Sequence, residues 1–302
     1  MSRLRLPLVI CACCLFWAAL GALLGALGRH AFGGLIFGLL FGIGYVVFGS
    51  WAAEKFPLDV WDAKLLENVH APKLYEMIQD LCERVGMEVP ILYYSTRPEP
   101  NAYTLERREG DPVIVVSNGL TRHLDKDEVQ AVMALMIARL ATGAMPAWTV
   151  ASTLAGLPLQ LGLGLRRRGR DGLGNALLVA CAYPAAALAR LGWDAKVVTA
   201  ADHHAAHLAE VPGALKDALV KIEAGQGEDI AWAGNPTTAM LFAAPPLPAA
   251  PPGAPLWRVV LSAFPSSSPD AAARVARLPA GLARPPVSPE PDAVDVTRQT
   301  LR

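Results

Sequence analysis

The stretch DKDEVQAVMALMIARL, residues 125–140, guides the interpretation of the whole chain. Its apolar residues recur three and four positions apart, which is the spacing of a buried helix. They are Val129, Val132, Met133, Met136, Ile137 and Leu140. Asp125 and Glu128 follow the Asp-x-x-Glu pattern of a start signal related to the capping box. The stretch therefore predicts a helix that begins near Asp125 and is buried along its length.

Two motifs stand before this helix, PNAYT at 100–104 and the beginning of VIVVSNGLTRHLDKDEVQAV at 113–132. Together with the helix they resemble the membrane zinc metallopeptidases of the HtpX and CAAX-prenyl-protease type. In that family a segment Asp-Glu-x-x-Ala-Val is followed two residues later by His-Glu-x-x-His. The resemblance implies an α+β fold, mainly α-helical with a small β-sheet, of the gluzincin-like metallopeptidase kind.

The resemblance also assigns positions to the zinc ligands. When Asp127 and Glu128 are placed on the family pattern, the two zinc histidines fall on Leu135 and Arg139 and the general base falls on Met136. Two imidazoles four residues apart bind one metal from one side of a helix, and the glutamate activates the metal-bound water. Leucine donates no lone pair, methionine has no proton chemistry near neutral pH, and arginine stays charged. The scaffold is recognisable, whereas the zinc ligands are replaced.

A later segment, WDAKVVTAADHHAAHLAEVPGALKDALVKI at 193–222, resembles the one that supplies the third ligand. The family pattern is Arg-Glu-Tyr-x-Ala-Asp, in which Asp202 takes the place of the aspartate and Val198 that of the ligand. With no metal present, we expect Arg139 to form a direct, bidentate pair with Asp202 between the two helices. The alternative is that Arg139 reaches solvent or the membrane surface along its aliphatic stem.

His203 and His207 are the candidates for a substitute metal site, since they stand four residues apart beside Asp202. Successive helix positions are rotated by about 100°, so His203 should point away from the vacated site. We therefore prefer solvated surface histidines and expect no cofactor. Zinc would be the cofactor only of an active peptidase whose ligands are not recognised in the sequence.

Residues 1–53 contain two uncharged runs, 6–28 and 31–53, each long enough to cross a hydrocarbon core of about 30 Å. Hydrophobic residues make up 53% of the chain, which is too apolar for a typical soluble protein. The two runs predict a transmembrane hairpin. A cleaved signal peptide is the alternative for the first run, because Arg3 and Arg5 precede it.

Residues 54–243 resemble the metallopeptidase domain, interrupted by two further hydrophobic segments at 140–165 and 172–189. Between these segments lies a loop, 166–170, with four arginines. Two more membrane spans are expected here, with a re-entrant hairpin or buried core helices as the alternative, because prolines interrupt both segments. If the loop faces the cytoplasm, its arginines could bind anionic lipid head groups.

The remainder of the chain is rich in proline. We expect a linker at 244–256, a closing helical motif at 257–278 and a disordered tail at 279–302. The closing motif resembles a family segment in which a His-Pro pair precedes Arg-Ile-x-x-Leu. Here Ser268 replaces the histidine and Arg274 begins the second part.

A formal charge of zero gives no indication of nucleic-acid binding, and five cysteines, an odd number, imply no disulfide framework.

We expect a multi-pass membrane pseudo-peptidase with its domain in the cytoplasm. The resemblance also implies a role in protein quality control. Its partners would be lipid and a peptide client, a membrane protein or an active homologue, with peptide added to an edge strand. The alternatives are an active zinc endopeptidase and a purely structural membrane protein.

Overall fold

The computed structural model describes residues 5–53, 55–107, 109–192, 195–209, 211, 213–225, 236–244, 253–254, 256, 259 and 274. Its helices are α1 Arg5–Leu27, α2 Ala31–Ala52, α3 Phe56–Val60, α4 Pro72–Val85, α5 Asn118–His123, α6 Lys126–Ala141, α7 Met145–Arg167, α8 Asp171–Gly192, α9 Ala195–Leu208 and α10 Ala214–Ala224. Its strands are β1 Ala63–Leu65, β2 Ile91–Ser95, β3 Ala102–Glu106 and β4 Pro112–Ser117. Short 3₁₀ turns occupy Asn68–His70 and Pro236–Leu241.

Helices α1 and α2 form the expected hairpin, and glycines let their backbones approach closely. A Cβ atom on Gly21 would lie 2.3 Å from the carbonyl oxygen of Gly34, and one on Gly38 would lie 2.3 Å from that of Trp17. No side chain fits at such distances, so the small residues serve the contact within the hairpin. By length and composition α1, α2 and α8 can each cross a bilayer. The chain is a membrane protein.

The hydrophobic segment predicted at 140–165 is divided between two helices. Leu140 lies in the last turn of α6, and α7 leaves at an angle of 93° after a short break. Gly143 lies in this break with a φ of +64°, a conformation that glycine adopts without strain. Pro146 then stands in the first turn of α7, where a missing N–H costs nothing.

Helices α1, α2, α7 and α8 pack together at the end nearest the sheet. The Tyr45 hydroxyl of α2 donates a hydrogen bond of 2.5 Å to the carbonyl oxygen of Leu154 in α7. Val9, Cys13, Val46, Ala151 and Leu154 form a buried apolar cluster at this level. Since α1 with α2 and α7 with α8 are antiparallel pairs, the turns at 28–30 and 168–170 lie at the opposite end of the four helices.

The sheet has the strand order β1-β2-β4-β3, with β2 and β4 parallel and the other pairs antiparallel. The apolar runs 91–94 and 113–116 each follow a proline, a pattern that predicts strands, and they are present as β2 and β4. Short β1 and β3 complete the sheet at its two edges. β3 is almost entirely buried, and both α6 and α7 pack against it.

Helix α6 begins with the predicted signal. The Glu128 backbone N–H donates to Asp125 Oδ1 at 3.0 Å, and the Asp125 N–H donates to Glu128 Oε2 at 3.0 Å, which closes a capping box. Glu128 is buried and forms an ion pair of 2.7 Å with Lys221 of α10. Pro72 and Gly86 are the sequence signals that predict the two ends of α4, and Gly86 caps this helix with a φ of +73°.

Of the expected C-terminal segments, the linker is described only at 244, 253–254 and 256. The tail at 279–302 lies outside the described residues. So do Ser268 and the rest of the closing motif, apart from 259 and Arg274.

Candidate functional site

Helix α6 packs along α9, and this contact brings together the four positions that the resemblance assigned to zinc chemistry. Leu135, Met136 and Arg139 of α6 are 0% exposed, and so is Val198 of α9. The three apolar side chains belong to the main hydrophobic cluster of the protein. The site is therefore a dry, closed interface between two helices.

Arg139 is the polar exception in this interface. Its Nη1 donates a hydrogen bond of 2.5 Å to the carbonyl oxygen of Phe242, and longer contacts of 3.5 Å reach the carbonyl oxygens of Leu241 and Ala243. Among the described residues, its Nε has no hydrogen-bond partner. Because the side chain is fully buried, the alternative in which Arg139 reaches solvent or the membrane surface is wrong.

Asp202 pairs with a different arginine from the predicted one. Nε of Arg274 donates to Asp202 Oδ2 at 2.8 Å, and Nη2 donates to Oδ1 at 2.5 Å. Both carboxylate oxygens are thus engaged by one planar guanidinium, the strongest geometry for such a pair. The predicted direct pair between Arg139 and Asp202 is wrong, since Arg274 arrives from 72 residues further along the chain and takes that place.

The two arginines share one short segment of backbone. Nη1 of Arg274 also donates to the carbonyl oxygen of Ala243, beside the carbonyls that accept from Arg139. Burial, and after it the charge of Arg274, lower the pKa of Arg139 to about 9, although Asp202 opposes the shift. A pKa of about 9 still leaves Arg139 protonated at neutral pH. The positive charge is therefore held by peptide dipoles and by Asp202.

A zinc ion does not fit the residues at these positions. Leu135 and Val198 offer no donor atom, and Met136 offers only a soft thioether. The buried Arg139 guanidinium would repel a dication at close range, in a region where charges are weakly screened. No hydrolytic step through a metal can be derived from these side chains.

His203 and His207 are placed on the outer part of α9. His203 is half-buried, whereas His204 and His207 are exposed. Within the described ranges of the chain, no three His, Cys, Asp or Glu side chains lie close enough together to hold a metal ion. The structure thus brings no third donor to these two histidines.

The free edge of β3 is covered by the protein itself. Residues 241–244 run along it in the antiparallel direction, with Phe242 opposite Tyr103. The Ala243 N–H donates to the carbonyl oxygen of Ala102 at 2.7 Å, and the Asn101 side chain donates to that of Ala244 at 2.9 Å. A peptide strand added at this edge of the sheet would therefore find the first residues of β3 already paired.

Aromatic packing and α7 complete this cover. The ring of Phe242 lies 4.4 Å from that of Trp61 and 4.7 Å from that of Tyr103, measured between centroids. At the other end of the strand, the Glu106 N–H donates to Thr149 Oγ1 of α7 at 3.3 Å. The partial burial of Glu106 raises the pKa of its carboxyl group.

Arg274 is the main residue of the site that sequence reasoning did not assign to it. The residue was recognised only as part of a closing motif, without a partner. A buried carboxylate at Asp202 needs a cation, and two arginines could supply it. The choice between them depends on the path of the chain after residue 244, for which the sequence carries no local signal.

Comparisons with known proteins agree with this fold. Residues 68–281 match the sequence profile of peptidase family M48. The protease HtpX homologue of Thermococcus sibiricus is 30% identical over 223 residues, which cover 69% of this chain and 76% of that protein. The homologue of Thermococcus kodakarensis is 29% identical over 238 residues, which cover 69% of this chain and 82% of that protein. The homologue of Gemmatimonas aurantiaca is 30% identical over 243 residues, which cover 77% of this chain and 86% of that protein. No solved structure matches the chain.

Proposed function

Because the chain belongs to peptidase family M48, we propose that it is a membrane-anchored pseudo-peptidase of the HtpX type that performs no zinc hydrolysis. The observation that carries the proposal is the buried Arg139 at the position of a zinc ligand. Leu135, Met136 and Val198 at the other three positions supply neither the remaining ligands nor the general base.

An empty metal site between two buried helices would destabilise the protein. Removing a dication and its ligands from between two helices leaves a void or an uncompensated charge, and either would destabilise the fold. Here the apolar side chains belong to the core, and Arg139 bonds to carbonyl oxygens of the segment 241–244. The former metal site thus has a structural use, namely to hold that segment against α6.

A non-catalytic member of the family would work by binding. We propose that the domain lies in the cytoplasm and that the protein serves as a binding or regulatory subunit for a membrane protein, a peptide client or an active homologue. A client that adds a strand to β3 must first displace residues 241–244, because that segment already uses the Ala102 carbonyl. A partner that binds elsewhere on the domain, or within the bilayer, needs no such step.

Metal content and peptidase activity test the first part of the proposal. The full-length protein, purified in detergent with zinc supplied, should hold far less than one zinc per chain and should not cleave an unfolded protein such as casein. About one zinc per chain, lost on chelation together with proteolysis, would establish the active endopeptidase instead.

A restored site tests the assignment of the four positions. The quadruple variant Leu135→His, Met136→Glu, Arg139→His and Val198→Glu should bind zinc if the positions are assigned correctly, because it recreates two imidazoles and a carboxylate around one point. The matched control carries Met136→Gln with the other three changes. It should bind zinc equally well but cleave nothing, since it lacks the base.

Crosslinking in the native membrane, followed by isolation of the tagged full-length chain, tests the second part. A stoichiometric protein partner would support a binding subunit. Its repeated absence under conditions that capture known complexes of the same membrane would favour a purely structural role.

A further inference from the structure

The turn between α7 and α8 concentrates positive charge that the proposed function does not use. Residues 166–171 contain four arginines and one aspartate, so the formal charge of the turn is four minus one, or +3. Arg167, Arg168 and Arg170 are exposed. Such a charge on one short turn needs either a counter-charge or water.

Arg166 belongs to the structure of the turn itself. Its Nε lies 3.8 Å from Asp171 Oδ1, and a Cβ on Gly174 would lie 2.5 Å from its Cγ, so its stem crosses α8. The Arg170 N–H donates to the carbonyl oxygen of Leu165 at 3.0 Å, which closes the turn. The three exposed arginines therefore stand within four consecutive residues of one closed turn.

The position of the turn relative to the membrane follows from the helices. α7 starts beside β3, where Thr149 contacts Glu106, and ends at Arg167. Its 23 residues correspond to about 34 Å at 1.5 Å per residue, close to the thickness of a hydrocarbon core. Leu161, before the arginines in α7, and Leu173, after them in α8, are each 59% exposed, as expected of side chains that face acyl chains. In the arrangement in which α7 and α8 cross the bilayer together, the arginines lie at the depth of the lipid head groups on the side away from the domain.

We propose that residues 166–171 form a binding site for the head groups of anionic lipids. Guanidinium groups bind phosphate oxygens through two parallel hydrogen bonds. A zwitterionic lipid offers the same phosphate with its own cation beside it, whereas an anionic lipid brings a net negative charge that three arginines can neutralise. Basic residues near a charged membrane surface each strengthen binding by about fivefold.

The test compares lipids on the full-length protein in detergent micelles, with bound lipid counted by native mass spectrometry. Phosphatidylglycerol should bind at least about tenfold more tightly than phosphatidylcholine of the same chain length. The triple variant Arg167→Gln, Arg168→Gln and Arg170→Gln should lose this preference. The matched control, Lys73→Gln, Lys126→Gln and Lys216→Gln, removes three exposed charges from the soluble domain and should keep it.

Three results would overturn the proposal. The triple variant could retain the preference, or the control could lose it to the same degree, which would indicate a general effect of net charge. Inorganic phosphate at the concentration of the lipid could also displace it, and the site would then be one for a soluble anion. The thermal unfolding curves of both variants show whether Arg→Gln changes at exposed positions have left the fold intact.

Discussion

Arg139 and Arg274 are two buried guanidinium groups that meet at the backbone of Ala243, and within the described part of the chain only Arg274 has a carboxylate partner. A buried charge that loses its partner is costly, whereas a pair replaced as a whole by apolar residues is often neutral. The contribution of each arginine to the stability of the fold can therefore be tested separately.

The first prediction concerns the pair of Asp202 and Arg274, whose side chains are 6% and 1% exposed. Asp202→Ala leaves the Arg274 guanidinium buried without its carboxylate and should lower the free energy of unfolding by about 3 to 5 kcal/mol. Denaturant unfolding in detergent, followed by circular dichroism, measures the change. The double variant Asp202→Leu and Arg274→Met should lose much less, and equal losses in both variants would contradict the interpretation.

The second prediction concerns the charge of Arg139. Its pKa of about 9 lies below the ordinary 12.5, so the unfolded state binds the proton more tightly than the folded state does. Between pH 6 and 8 both states are protonated, and the difference in unfolding free energy between the wild type and Arg139→Met should be constant. Above about pH 9 the folded wild type loses the unfavourable charge and should gain stability relative to the variant. A difference that changes between pH 6 and 8 would show that another group is responsible.

The hairpin of α1 and α2 depends on glycines that differ sharply in their surroundings. A Cβ on Gly38 would meet the backbone of Trp17 at 2.3 Å, whereas one on Gly44 would meet nothing within 4 Å. Both residues lie on α2, so an alanine adds the same methyl group to the same helix. Comparing the two alanine substitutions therefore separates the effect of helix packing from that of helix propensity.

The third prediction is that Gly38→Ala lowers the free energy of unfolding by about 1 to 3 kcal/mol, because two backbones must move apart. Gly44→Ala should be neutral or slightly stabilising, since alanine favours a helix more than glycine does. Thermal unfolding of both variants in the same detergent compares them. Equal effects would mean that the close contact of the two helices contributes nothing.

The four long helices and the domain set the topology of the protein as a whole. If α1, α2, α7 and α8 all cross the bilayer, the turn at 168–170 and the sheet lie on opposite sides of the membrane. α8 meets the length and composition of a span by itself, and α7 packs along it. A re-entrant hairpin would instead return the turn to the side of the domain.

The fourth prediction is that a protease-sensitive tag at residue 168 is protected in sealed vesicles in which a tag on the domain, at residue 88 between α4 and β2, is cleaved. Permeabilised vesicles serve as the control, because both tags should then be cut. Cleavage of both tags in sealed vesicles would support the re-entrant arrangement.

Mass spectrometry of the mature chain should show an N-terminus that retains α1, in contrast to a processed signal peptide.

The sequence determined the features that depend on neighbouring residues. Asp125 and Glu128 predict the start of α6, because a capping box forms within one helical turn. Gly86 predicts the end of α4, because glycine adopts the left-handed conformation of a helix C-cap most easily. β1 and β3 were not predicted, because β1 has only three residues and the five residues of β3 do not form a continuous apolar run.

Only the tertiary structure decided which arginine binds Asp202 and what covers β3. The contact of Arg139 with Phe242 joins residues 103 positions apart, and that of Arg274 with Asp202 joins residues 72 positions apart. Either guanidinium could bind the carboxylate of Asp202, so residue type alone cannot decide which arginine becomes its partner. The choice is made by the path of the chain, which brings the segment 241–244 between α6 and β3 and leaves the carboxylate to Arg274.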